Sequence, residues 1–154
     1  MQRTIFDDEH ELFRASVRAF LEKECAPNAA EWERAGETGR EVWRKAGAAG
    51  LLGWEVPEQY GGSGVSDFRY NAILAEEIVA TGSLGLGFAV NNDIVMPYLL
   101  DLTTDEQKAR WLPGMVTGEV ITAIAMSEPG AGSDLKSIAA TARLDGDHYV
   151  LNGS

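Results

Sequence analysis

The sequence predicts an α+β chain: an all-helical first part of about six helices, followed by the start of a small antiparallel β domain. Three observations predict it. Helix-start residues recur up to about Gly118, apolar residues follow them at helical spacing, and beyond Gly118 shorter runs flank Asp145-Gly146, a hairpin turn signal. The boundaries expected are 1–118 for the helical domain and 119–154 for the β part.

Taken in order, Asp8 with Glu11, Asn28 with Glu31, Thr38 with Glu41 and Thr104 with Gln107 each resemble a capping box, which satisfies the free amides of a first turn. Behind Asp8, residues Phe13, Val17, Phe20 and Leu21 form one expected buried stripe, and Pro27 is expected to end that helix. Val42, Trp43, Ala46 and Ala49 repeat the pattern in a short helix closed near Gly50. Phe68, Ala72, Ala75 and Val79, widened by Ile73, Leu74 and Ile78, predict a well-buried helix ending by Gly82. From Leu84 to Leu102 apolar residues lie nearly all round, as in a central helix, bent by Gly85, Gly87 and Pro97. Val120 to Met126 reads as a first strand, and Ile138 to Leu144 and His148 to Asn152 as a hairpin. Two or three such strands cannot shield both faces and edges of a sheet, so the chain is expected to stop within its β domain.

A formal charge of -11, with 13 Lys and Arg scattered among 24 Asp and Glu, disfavours a nucleic-acid partner, which needs a basic stripe. The single cysteine, Cys25, makes no internal disulfide and fits a reducing compartment. Met1 to Glu11 carries no basic-then-apolar secretion signal, and no apolar run is long enough for a membrane span. A soluble, cytoplasmic protein is expected. His10 and His148 lie far apart with no Cys or His cluster, so no metal is expected. Trp32, Trp43, Trp54 and Trp111 read as packing residues, and no nucleophile elbow or Cys-His pairing points to hydrolysis.

The chemistry lies in Ala125-Met126-Ser127-Glu128-Pro129-Gly130-Ala131-Gly132-Ser133-Asp134. Two glycines allow close approach to the backbone, and consecutive amides beside Ser133 make an anion-binding concavity. Asp134 would repel a phosphate, so it is expected to turn back onto loop amides. The spacing is neither a P-loop nor a Rossmann turn. On spacing alone the segment reads either as a ligand loop or as a plain surface turn.

The whole string is more specific: it resembles the signature of the acyl-CoA dehydrogenase family, an apolar residue and Ser or Thr followed by Glu-Pro-Gly-Ala-Gly-Ser-Asp. Similarity continues at Pro57-Glu58-Gln59-Tyr60-Gly61-Gly62, Glu106-Gln107-Lys108, Leu112-Pro113 and Leu151-Asn152-Gly153-Ser154. The long-chain branch is resembled through Ile5-Phe6, Glu33-Arg34-Ala35-Gly36-Glu37, Arg40-Glu41-Val42-Trp43 and Ala123-Ile124-Ala125-Met126.

The resemblance implies FAD as cofactor and α,β-dehydrogenation of an acyl-CoA, with α-proton abstraction by a carboxylate and β-hydride transfer to the flavin. It implies that Ile124, Ala125, Met126, Ser127, Gly132 and Ser133 line the cofactor: the Ser127 hydroxyl by N5, Met126 backbone groups at the pyrimidine edge, and Ser133 at the pyrophosphate or the CoA ester. Glu128 is rejected as the base, because the family's base comes from a carboxy-terminal helical domain. No catalytic residue is therefore expected in these residues, and the chain alone is expected to be inactive. Gly85 and Ala89, with Gly82 and Gly87, either remove volume for a long acyl tail or only permit close helix packing. Electron-transfer flavoprotein as acceptor and a homotetrameric full-length form are also implied. Acyl-CoA oxidase, nitroalkane oxidase and a non-catalytic helical interaction module stand as alternatives.

Overall fold

The computed structural model describes residues 4–153. It divides into two compact units, Met1–Ala123 and Ile124–Ser154. The first is helical: α1 (Asp8–Phe20), α2 (Ala29–Ala35), α3 (Arg40–Ala48), α4 (Phe68–Ala80), α5 (Met96–Leu102) and α6 (Asp105–Val116). The second holds one antiparallel pair, β1 (Thr141–Asp145) and β2 (His148–Asn152). The α+β order expected from the sequence is the order found. No described helix is long and apolar enough to cross a membrane.

Among the expected caps, only that of α6 closes as a capping box: Thr104 accepts from the Gln107 amide, and Gln107 accepts from the Thr104 amide. At α1 the cap is Asp7 rather than Asp8, because the Asp7 carboxylate takes the His10 amide. Asn28 spends its side chain on the preceding turn, donating to the Glu24 carbonyl at 2.9 Å. The Thr38 hydroxyl accepts from the Trp43 indole at 3.3 Å, leaving Gly39 as the cap of α3.

Pro27 does not end the first helical run. After α1 the chain widens into a π turn, Leu21–Cys25, tightens into a 3-10 turn, Ala26–Asn28, and continues as α2 to Gly36 in the left-handed region. Pro27 stands in the first turn of the tightened segment, where a missing amide proton costs least.

Val17, Leu21 and Cys25 from this run join Val42, Trp43 and Ala46 of α3 and Ile73 and Leu74 of α4 in the main core. Phe13 and Phe20 pack against it from partly buried positions. A second cluster gathers Val56, Met96, Leu112 and Met115. Trp43 and Trp54 are core residues, and Trp43 meets Phe88 edge to face at 4.9 Å. Ala49, expected on the buried side of α3, is exposed because the helix ends one residue earlier.

The predicted face of α4 holds at Ile73, Leu74 and Ile78 but not at Phe68, Ala75 and Val79. Phe68 and Val79 are 67% and 69% exposed, while Ile73, Leu74 and Glu77 are buried. The choice is electrostatic: Glu77, 2% exposed, accepts two bonds from Arg18, at 2.7 and 3.0 Å, and one from Arg14 at 3.1 Å. These bonds turn the helix so that its one buried acid meets the two arginines of α1.

Gly85 and Gly87 are not inside a helix. They have φ of +86° and +71° in the connection after α4, and helical backbone starts only at Phe88. It then runs through a π turn, Val90–Val95, into α5, with Pro97 in the first turn of that helix.

Two other glycines allow backbone to meet backbone between α3 and the end of α6. A Cβ on Gly47 would lie 2.4 Å from the Thr117 carbonyl carbon, and one on Gly118 would lie 2.1 Å from the Trp43 carbonyl oxygen.

Val120 to Met126 forms no strand: the Val120 amide donates to the Gly114 carbonyl at 2.8 Å, and among the described residues 121–126 make no backbone–backbone hydrogen bond. The hairpin is found, beginning at Thr141 rather than Ile138, with register Asp145↔His148. Its two-residue loop is Gly146-Asp147, and φ of +65° at Gly146 matches a first central position that only glycine adopts without strain.

Candidate functional site

Residues Ile124, Ala125, Met126 and Ser127 are all exposed, as are Gly132 and Ser133 beyond the turn. Among the described residues, no amide of 121–127 donates to a backbone carbonyl, so their donors stay available. The turn itself is closed. Glu128 and Ala131 exchange backbone bonds of 3.0 and 2.9 Å across Pro129-Gly130. A Cβ at Gly130 or Gly132 would meet nothing within 4 Å, so the space beside both glycines is open.

Glu128 holds this turn, and Asp134 holds the 3-10 turn that follows it, Leu135–Ser137. The Glu128 carboxylate accepts from the Ala139 amide and, at 3.2 Å, from the Ala140 amide. Asp134 accepts from the Lys136 amide at 3.2 Å and the Ser137 hydroxyl at 2.7 Å, turning back as expected. Glu128 is thereby occupied in fastening the turn to the segment before β1, a structural duty. A hollow of about 370 Å³ lies between Glu128 to Gly130, Ala139 to Thr141 and Asn152-Gly153.

Gly85 and Ala89 belong to the first unit. Gly85 lines a groove of about 590 Å³ with Gly82, Leu84, Ala29, Trp32 and Glu33, and a Cβ at Gly82 or Gly85 would find open space. Ala89 is exposed in the first helical turn and is not part of that groove.

The sequence reading passed over the buried polar groups of the helical run 88–102. Asn91 and Asn92 are 0% and 4% exposed. Asn92 accepts from the Gly53 amide at 3.3 Å and donates to the Leu51 carbonyl at 3.0 Å. Asn71 accepts from the Trp54 indole and donates to Asp93 at 2.6 Å. Burial holds the Asp93 carboxyl above the usual range, against the opposing Asn71 bond. Glu55 is raised by burial and by the nearby Asp93 and Asp101 charges. An asparagine pair inside an otherwise apolar stretch was the available signal.

Cys25 is fully buried, and burial pushes its thiol up to about 11, which keeps it unreactive. His10 is buried, its Nδ1 2.5 Å from Asp7 and its Nε2 3.3 Å from Asp67. Asp7, Glu9 and His10 bring ligand-type atoms within 4.8 Å of one another, but Arg69 already pairs with Asp7 and Asp67 there. His148 is exposed beside Asp147.

Residues 7–119 match the family described as acyl-CoA dehydrogenase, N-terminal domain. The mitochondrial long-chain specific acyl-CoA dehydrogenase of Sus scrofa is 48% identical over 152 residues, which span 99% of this chain and 35% of that protein. The crystal structure of an acyl-CoA dehydrogenase from Geobacillus kaustophilus superposes with a TM-score of 0.91 at 49% identity, over 99% of this chain and 40% of the other. An acyl-CoA dehydrogenase from Bacillus anthracis, solved in complex with FAD, gives a TM-score of 0.79 at 34% identity, covering 99% of this chain and 27% of that one. The chain thus spans about a third of the length of the pig relative. Through the match over residues 7–119, this chain belongs to the acyl-CoA dehydrogenase family.

Proposed function

We propose that the chain forms the amino-terminal helical domain, 1–118, and the flavin-facing start of the β domain, 119–154, of an FAD-dependent enzyme. That enzyme oxidises acyl-CoA thioesters to trans-2-enoyl-CoA. FAD, when bound, supplies the acceptor for the β hydrogen. The observation that carries this reading is the run of exposed residues with unspent backbone donors, Ile124 to Ser127, directly before a turn closed by Glu128 and Ala131.

The residues fit the group. Unspent backbone amides and the Ser127 hydroxyl are donors of the kind needed where negative charge gathers on a reduced ring. Gly132 and Ser133 offer an amide and a hydroxyl to phosphate oxygens, with no side chain in the way at Gly132. Met126 presents backbone groups and Ala125 and Ile124 apolar surface. Glu128 is not the proton-abstracting carboxylate, since its oxygens already accept the Ala139 and Ala140 amides. The α proton is removed by a carboxylate outside these residues.

The acyl chain is proposed to be long. Gly85 and Ala89 are its proposed contacts in this chain, with Ser133 taking the pyrophosphate or the CoA ester, and the open space at Gly82 and Gly85 supports a long tail. Reoxidation by an electron-transfer flavoprotein and assembly of the full protein as a homotetramer complete the reading.

A chimera tests it: residues 1–154 replacing the matching part of the Geobacillus kaustophilus enzyme. The chimera is expected to purify with bound flavin and to prefer long acyl-CoA substrates. Ser127→Ala should slow flavin reduction on the order of 10–100-fold, below the cost of losing a full oxyanion donor. A folded, colourless chimera that takes up no FAD ends the proposal, and strict preference for butyryl-CoA ends its long-chain part.

A further inference from the structure

Between Val120, whose amide donates to the Gly114 carbonyl, and Glu128, which closes the turn, the chain is nearly without hydrogen bonds. The exception is Thr122, whose hydroxyl donates to the Asn91 side-chain oxygen at 2.9 Å. Among the described residues, it is the single hydrogen bond made anywhere in 121–127. Asn91 is well placed to be a fixed point. Its side chain is fully buried and its own amide is held by the Gly87 carbonyl at 3.3 Å. It also lies against Asn92, which is pinned to Leu51 and Gly53 on a separate stretch of chain.

We propose that Asn91 is a positioning residue for the candidate flavin segment, acting through Thr122 to hold the chain where Ile124–Ser133 begins. The inference rests on the flavin reading given above. An unanchored run of seven residues samples many backbone states, and donors that must be ordered at the moment of binding weaken it. One buried acceptor at residue 122 removes much of that freedom while leaving the amides beyond it unspent. The π turn Val90–Val95 contains this acceptor, and such turns occur frequently at functional sites.

Backbone nitrogen-15 relaxation on the 154-residue chain, without flavin, tests the tie at Thr122, which is less buried than Asn91 and so safer to change. In Thr122→Val, the order parameters of amides 123–127 are expected to fall from the parent's values to below about 0.6 while those of α4 stay near about 0.85, and Thr122→Ser, which keeps the hydroxyl, is expected to keep the parent's values. The proposal is overturned if Thr122→Val leaves 123–127 unchanged, if α4 loosens equally, or if Thr122→Ser behaves like Thr122→Val. A colourless chimera in the previous experiment would remove the flavin reading without touching this result, so the two failures are separable.

Discussion

The two units of this chain are built on opposite economies of contact. In the first, two apolar clusters and a buried ion-paired glutamate hold six helices together. In the second, every residue of β1 is exposed, only Val150 of β2 is partly covered, and Leu144, Tyr149 and Leu151 are 60%, 66% and 77% open to solvent. The difference separates what local chemistry achieves from what packing achieves. A glycine turn sets the hairpin register without help from a core, whereas no helix here chooses its buried face without its neighbours.

The sharpest way to break the contrast is to remove Glu77. Glu77→Ala should cost the first unit about 2–3 kcal/mol by urea unfolding, toward the low end for a broken buried pair, because Arg18 is half exposed and Arg14 retains Glu76. A loss under about 0.5 kcal/mol would place α4 on apolar packing alone.

Acid should act on the same unit. Asp67 is held well below the usual carboxylate range by its bonds to Arg69, Glu77 by Arg18 and then Arg14, and Asp7 by its bond to His10. Groups depressed on folding stabilise fully above their ordinary range and lose that contribution as pH falls. Stability of the first unit should therefore decline as pH drops below about 5. Glu55 and Asp93, raised on folding, work in the opposite sense and soften the decline. Thermal midpoints measured from pH 7 to pH 3 check the sign, and a flat or rising profile would contradict it.

The smallest effect sharpens the comparison from the other side. Leu151→Ser, on the open hairpin, should change stability by less than about 0.5 kcal/mol in the same urea experiment. A larger loss would mean that the exposed strand face is covered in solution.

These contrasts also mark what could be read without coordinates. The α6 cap at Thr104, the hairpin around Gly146 and the turning back of Asp134 depend on neighbours within a few positions, and the sequence carries all three. The face of α4 was misread because Glu77 looks like a solvent residue until Arg14 and Arg18, some sixty positions earlier, are brought beside it. Gly85 and Gly87 looked like gaps in a helix, since composition does not reveal a positive φ. The segment 120–126 has strand-like residues, yet a strand exists only against a partner, and none of the described residues supplies one. Within the candidate site the string around Ser127 was legible, while the Asn91 tie was not, because its two ends are 31 residues apart.

The contact of α3 with the end of α6 has a consequence for how this protein can drift over generations. At Gly47 and Gly118 the opposing group is backbone, which no compensating substitution can shrink. Lineages that keep the fold are therefore bound to keep glycine at both positions.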